Sequence, residues 1–160
     1  MSRDTTPILY HGMQLSKLNS LRTHGLSGDF AKVAPGFVHL SSDSGQAEGY
    51  FQNFGNGPGL LLSVQNLDTS LFGPDREDLA DLLEQDDDER DWSDCTWMES
   101  LSICGQCTFH GSVPPNLITV EGYEHDGKFI TIDMPLLSWI PTQDVLDVIM
   151  DSTTPGVGTP

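Results

Sequence analysis

Ile8-Leu9-Tyr10 is a short apolar run ending in the polar pair His11-Gly12, and leucines follow at positions 15, 18 and 21. That recurrence predicts a strand, a short loop and an amphipathic helix, closed by Gly25 where a left-handed cap would stop it. His11 and Gly12 then stand at the carboxyl end of a strand, where a side chain and a bare backbone can meet a ligand. Gly36 to Ser41 predicts a second strand, bounded by Pro35-Gly36 and by Ser42-Asp43-Ser44-Gly45, with good N-cap chemistry in Ser42 to Ser44. A short helix next places Ala47, Tyr50 and Phe51 on one face and ends in the Gly-rich loop from Asn53 to Gly59. Leu60 to Val64 is almost wholly apolar, which predicts a strand buried on both faces.

The second half begins with a helix started by Pro74-Asp75 and striped by Leu79, Leu82 and Leu83, running into the acidic stretch from Glu84 to Asp91. A strand is expected over 105–110, then a corner at Pro114-Pro115 and a further strand from Leu117. Asp126-Gly127 predicts a hairpin into Phe129 to Asp133. Pro141-Thr142 precedes a closing amphipathic helix carrying Val145, Leu146, Ile149 and Met150. The polar residues 152–160 are expected to be disordered. The pattern is α+β: one domain over 1–151, with an acidic insertion at about 74–96.

Composition sharpens this. With 160 residues and 37% apolar content the chain is long enough for one real core and too short for two ordinary domains. Its net charge of -17 repels phosphates, so direct nucleic-acid binding and membrane association are not expected, whereas a basic protein surface would be attracted. With no long apolar run and no apolar signal-peptide core, the expected location is the cytoplasm. Three cysteines, Cys95, Cys104 and Cys107, make no disulfide framework and fit a reducing compartment. No metal is expected. The acidic run lacks the turning glycine of a calcium loop, and a strand would send Cys104 and Cys107 to opposite faces, away from a shared zinc.

Taken in order, Tyr10-His11-Gly12, His39-Leu40-Ser41, Ala47-x-x-Tyr50 and Val113-Pro114-Pro115-x-x-Ile118 resemble the ADP-ribosyltransferase family over residues 8 to about 120. His39-Leu40 and Val113-Pro114-Pro115 also resemble its RNA 2′-phosphotransferase branch, which needs several arginines around a 2′-phosphate. The four arginines of this chain match none of those positions. The resemblance implies two packed, mainly antiparallel sheets with short flanking helices, and a cleft between them lined by His11, Gly12, His39, Ser41, Tyr50 and Gln106. NAD would be the substrate. Tyr10, His11, Gly12, His39, Ser41 and Tyr50 would bind it: Gly12 through its bare backbone to the nicotinamide amide, His11 on a ribose hydroxyl, and Tyr50 stacked on the ring.

One departure matters for the chemistry. Breaking the glycosidic bond develops positive charge on the ribose, which a carboxylate would offset. The position that the resemblance assigns to a glutamate falls on Gln106, which bonds a hydroxyl but carries no charge. The polarising role is then expected of Gln106 itself, of Glu99, or of Glu121. The implied activity is transfer of ADP-ribose from NAD to a macromolecular acceptor, a basic protein by the charge argument. The alternative is a catalytically inactive acidic protein, of the kind a phage uses against host defences, that occupies a nucleic-acid-binding partner through the acidic surface from Asp75 to Asp94.

Overall fold

The computed structural model describes residues 7–27, 37–48, 58–87 and 89–153. Nine strands are present among them: β1 (Leu9–Gln14), β2 (Leu26–Ser27), β3 (Val38–Ser41), β4 (Gly59–Val64), β5 (Phe72–Pro74), β6 (Gln106–Phe109), β7 (Ser112–Val113), β8 (Ile118–His125) and β9 (Lys128–Pro135). The helices are α1 (Leu18–His24), α2 (Arg76–Gln85), α3 (Trp97–Cys104) and α4 (Gln143–Thr153), and residues 44–48 form a further helical turn. The α+β class stands. Seven strands make one antiparallel sheet in the order β5-β6-β3-β1-β4-β8-β9, and β2 pairs with β7 in a separate ribbon.

The two sheets expected from the sequence are thus one continuous sheet and a small ribbon. The join lies between β1 and β3, whose pairing consists of the single register Tyr10↔Ser41. Because neighbouring strands pair at Tyr10↔Ser41 and then part, the halves β5-β6-β3 and β1-β4-β8-β9 meet at a narrow seam.

The core follows the apolar pattern. Leu15, Leu18 and Leu21 pack with Leu9, Leu60, Leu62, Val64, Ile118 and Val120 from the sheet and with Val145 and Ile149 of α4. β4 is buried along its whole length, as its composition predicted. Its other face places Leu61 against Ala47 and Tyr10. Gly25 ends α1 with φ +71°, donating its N–H to Leu21. The hairpin between β8 and β9 turns on Asp126 and Gly127, at φ +54° and +76°, the left-handed pair that matches strand twist.

The acidic segment holds its own small core of Leu79, Leu83, Cys95 and Cys104, so α2 and α3 are packed elements. Two elements here were not expected: the edge strand β5 and the helix α3. Thr96 and Glu99 form a reciprocal capping box at the start of α3, and Gly105 closes it in the left-handed conformation. Residues 49–57, which include Tyr50, and the tail 154–160 lie outside the described residues.

Candidate functional site

Side chains alternate along a strand, and residues paired across an antiparallel ladder share a face. Tyr10↔Ser41 and Ser41↔Gln106 set three predicted residues in one row. His39↔Thr108 and Thr108↔Gly73 form the next row on the same face, whereas Val38, Leu40, Cys107 and Phe109 turn to the main core. Gly12 shares the parity of Tyr10. His11 has the other parity, with core-facing Leu9 and Met13, so it does not line a common wall with Ser41 and Gln106.

His11 instead bridges the seam. Its Nδ1–H donates to the carbonyl of His39 at 2.8 Å, which leaves Nε2 as the lone-pair nitrogen. Burial pulls its pKa below the ordinary 6.5, partly offset by that hydrogen bond, with the charge of His39 a smaller lowering influence. A histidine whose pKa is depressed on folding contributes stability above 6.5 that is lost as pH falls through the lowered folded value. Thermal or urea unfolding is expected to show this acid loss with a slope of at most about 1.4 kcal/mol per pH unit, and His11→Gln is expected to remove it.

His39 faces the opposite way, into a pairing that the sequence did not suggest. Its Nδ1–H donates to Asp75 Oδ2 at 3.0 Å, and Asp75 is only 2% exposed. The other carboxylate oxygen accepts from the Asp78 N–H at 3.2 Å, capping α2. Asp75 N–H in turn donates to Ser100 Oγ at 3.0 Å, and that hydroxyl donates to the Gln106 carbonyl at 2.6 Å. One serine therefore ties the start of α2, the middle of α3 and the start of β6 around the His39 partner. Asp75 was legible as a helix cap, but nothing local links it to a histidine so far back in the chain.

The remaining predicted residues are placed as follows. Ser41 Oγ accepts from Asp43 N–H and lies 2.8 Å from Gln46 Oε1, 3.0 Å from the Asp43 carbonyl and 3.1 Å from that of Gly105, so its one proton holds the turn after β3 against the α3–β6 corner. Gln106 is buried in its row beside Ser41. Glu99 is committed to the α3 cap and also accepts from Arg90 at 3.0 Å. Its carboxyl is held below its ordinary range, first by the Thr96 hydrogen bonds and then by Arg90. Glu121 is the extra residue of a bulge between β4 and β8, and its carboxylate accepts from Ser63 Oγ at 2.7 Å. Ser63 pairs with Tyr10, so of the two carboxylates considered as replacements, Glu121 stands on the Tyr10 face and Glu99 on the helix surface.

A cavity of about 810 Å³ opens on the His39 face, over β3, β6 and β5 and beneath the first turn of α2. Among the described residues His39 is the one predicted residue in its wall; Gly73 and Arg76, Trp92, and Thr108 and His110 were missed because three separate stretches of chain supply them. The Arg76 guanidinium lies 5.8 Å over the Trp92 ring, and the His110 ring packs tilted against Phe37 with ring centres 4.3 Å apart. Gly73 keeps the floor open, since a Cβ there would come within 2.8 Å of His110 Nε2 and 3.2 Å of Thr108 Oγ1. With His39 Nε2 itself buried, the wall offers aromatic rings, the Arg76 guanidinium and the Glu77 carboxylate, an arrangement suited to holding a planar or charged group.

Cys104 packs with Leu79 and Leu83, and Cys107 lies in the main core. Burial pushes both thiols up, Cys107 to about 12, so neither is a thiolate at neutral pH. Among the described residues, no three of His, Cys, Asp and Glu converge on a common point, and no helix is long and apolar enough to cross a membrane.

No family model matches the chain, and no curated protein matches it. A solved structure named EcPltA is similar over 86% of this chain and 89% of its own, at 11% identity and a TM-score of 0.47.

Proposed function

We propose that this protein is an ADP-ribosyltransferase-like enzyme that takes NAD as substrate and moves its ADP-ribose to a macromolecular acceptor. The observation that carries this reading is the hydrogen bond from His11 to His39, which joins the first two family-like motifs at the seam of the sheet. Tyr10 and Gly12 lie on the same sheet face as His39, Ser41 and Gln106, a compact set for holding a folded dinucleotide. Gln106 orients a ribose hydroxyl in this scheme, and Glu121 supplies the nearest negative field on the Tyr10 side. Tyr50 keeps its assigned role as the ring that stacks on nicotinamide.

Calorimetric titration of NAD is expected to give micromolar binding that Tyr10→Ala, on the shared face, weakens at least tenfold, and that His11→Ala weakens through the seam it bridges. Absence of binding at millimolar NAD would sink the reading. A second reading would then take its place, favoured by the solvent-facing carboxylates Glu77, Asp81 and Glu84 of α2, which continue into Asp86 and Asp87. In that reading the acidic face holds a basic, nucleic-acid-binding partner, with binding that weakens steeply as salt is raised.

A further inference from the structure

We infer that the cavity over β3, β6 and β5 is a guanine pocket, which holds the base of a guanine nucleoside against aromatic walls and reads its edges with Arg76 and Glu77. The pocket stands apart from the NAD site proposed above, and its reading groups are none of the residues assigned there.

The walls disfavour a simple ion of either sign. Arg76 and Glu77 are neighbours on the first turn of α2, and both line the cavity. A cation that approaches Glu77 meets the Arg76 guanidinium beside it. An anion that approaches Arg76 meets Glu77 and, at the cap of the same helix, the buried carboxylate of Asp75. The group that satisfies both is neutral, with acceptors on one edge and donors on the next.

Guanine has that layout. Its O6 and N7 are adjacent acceptors that match a guanidinium fork, and its N1–H and N2 amino group are adjacent donors that match a carboxylate. Adenine has one acceptor and one donor where guanine has two acceptors, and it turns the lone pair of N1 towards the carboxylate. The remaining walls suit a flat ring. Trp92 lies 5.8 Å below the Arg76 guanidinium, which holds the fork at the wall, and the tilted pair of Phe37 and His110 supplies a second aromatic surface. Gly73 adds no side chain to the floor. A cavity of about 810 Å³ has room for base and ribose together.

The surrounding field selects the form of the ligand. Glu77, Asp81 and Glu84 run along the exposed side of α2, and with a net charge of -17 the chain repels phosphate groups. The uncharged nucleoside is therefore bound in preference to its nucleotides or to RNA.

The test uses the full chain. Guanosine, inosine, adenosine and guanosine monophosphate are titrated by calorimetry at low salt, and NAD is titrated into the same preparations. Guanosine is expected to bind with a Kd below about 1 mM, and adenosine at least about tenfold more weakly. Inosine keeps O6, N7 and N1–H but lacks the N2 amino group, and is expected to lose about tenfold. The monophosphate is expected to bind more weakly than guanosine, with a gap that closes as salt is raised. Glu77→Gln is expected to bind guanosine no better than wild type binds inosine, and Arg76→Ala to lose at least about tenfold. Both side chains are exposed, so both variants are expected to unfold at the wild-type midpoint. The indole N–H signal of Trp92, assigned in nitrogen-15 NMR by its loss in Trp92→Phe, is expected to shift when guanosine is added. Absence of guanosine binding at about 1 mM, equal affinity for adenosine, full affinity in both variants, or displacement of guanosine by NAD would each overturn the pocket. The NAD titration separates the two readings: NAD binding without guanosine binding removes the pocket alone, and guanosine binding without NAD binding removes the transferase reading alone.

Discussion

Replacing Gly25 by alanine is expected to lower the unfolding free energy by about 3–5 kcal/mol, read as a fall in the urea midpoint. Two costs add. The backbone there has φ +71° and ψ -160°, a region that side chains with a Cβ avoid. A Cβ would also lie 1.9 Å from the Val113 carbonyl oxygen, which is backbone and has no freedom to swing aside. Either Val113 moves, breaking the Leu26↔Val113 pairing of the ribbon, or α1 shifts on the core. Gly127→Ala separates the two costs, because Gly127 has φ +76° but nothing within 4 Å of the added carbon. It is expected to lose only about 1 kcal/mol.

Ser100→Ala is the second large effect, and it concerns a hydrogen bond with no apolar substitute. The hydroxyl is fully buried, accepting from Asp75 N–H and donating to the Gln106 carbonyl. Alanine improves helix propensity slightly but leaves a donor and an acceptor without those partners, each at about 1–3 kcal/mol. The expected loss is about 2–4 kcal/mol by equilibrium unfolding. Ser102→Ala on the exposed side of the same helix is expected to change stability by no more than about 0.5 kcal/mol. A Ser100→Ala variant as stable as wild type would mean that the junction of α2, α3 and β6 is not held in the way described.

Gly25 was legible as the stop of α1, but its close approach to Val113, like the Ser100 junction, lies between segments distant in the chain. The leucine stripe of α1, the apolar run of β4 and the Asp126-Gly127 turn are local signals, and each produced the expected element. The helix α3 also carried a local signal in Thr96 and Glu99, but the strand-like run from Ile103 to Phe109 obscured it. Strands as short as β2, β5 and β7 have too few residues to show a period, and only their partners define them. The site divides in the same way. Tyr10, Ser41 and Gln106 were found as motif neighbours and do share a row. The facing of His11 depends on strand parity, which shifts with a single residue of register. Asp75, Ser100, Arg76 and Trp92 reach the His39 side through packing between distant segments, and no local pattern records that.

The order of strands in the large sheet also bears on how the chain acquires its structure. Val38 lies beside Phe109, and Leu60 beside Tyr123, whereas the paired strands β8 and β9 are joined by a two-residue turn. Most of the sheet therefore assembles by closing long loops before any ladder repays the lost entropy. The hairpin of β8 and β9 is the cheapest nucleus, and β4 can dock on it early. The seam at Tyr10 and Ser41 closes a shorter loop than those pairings but is held by a single register, so the residues proposed to hold NAD sit where the sheet parts first when the fold loosens.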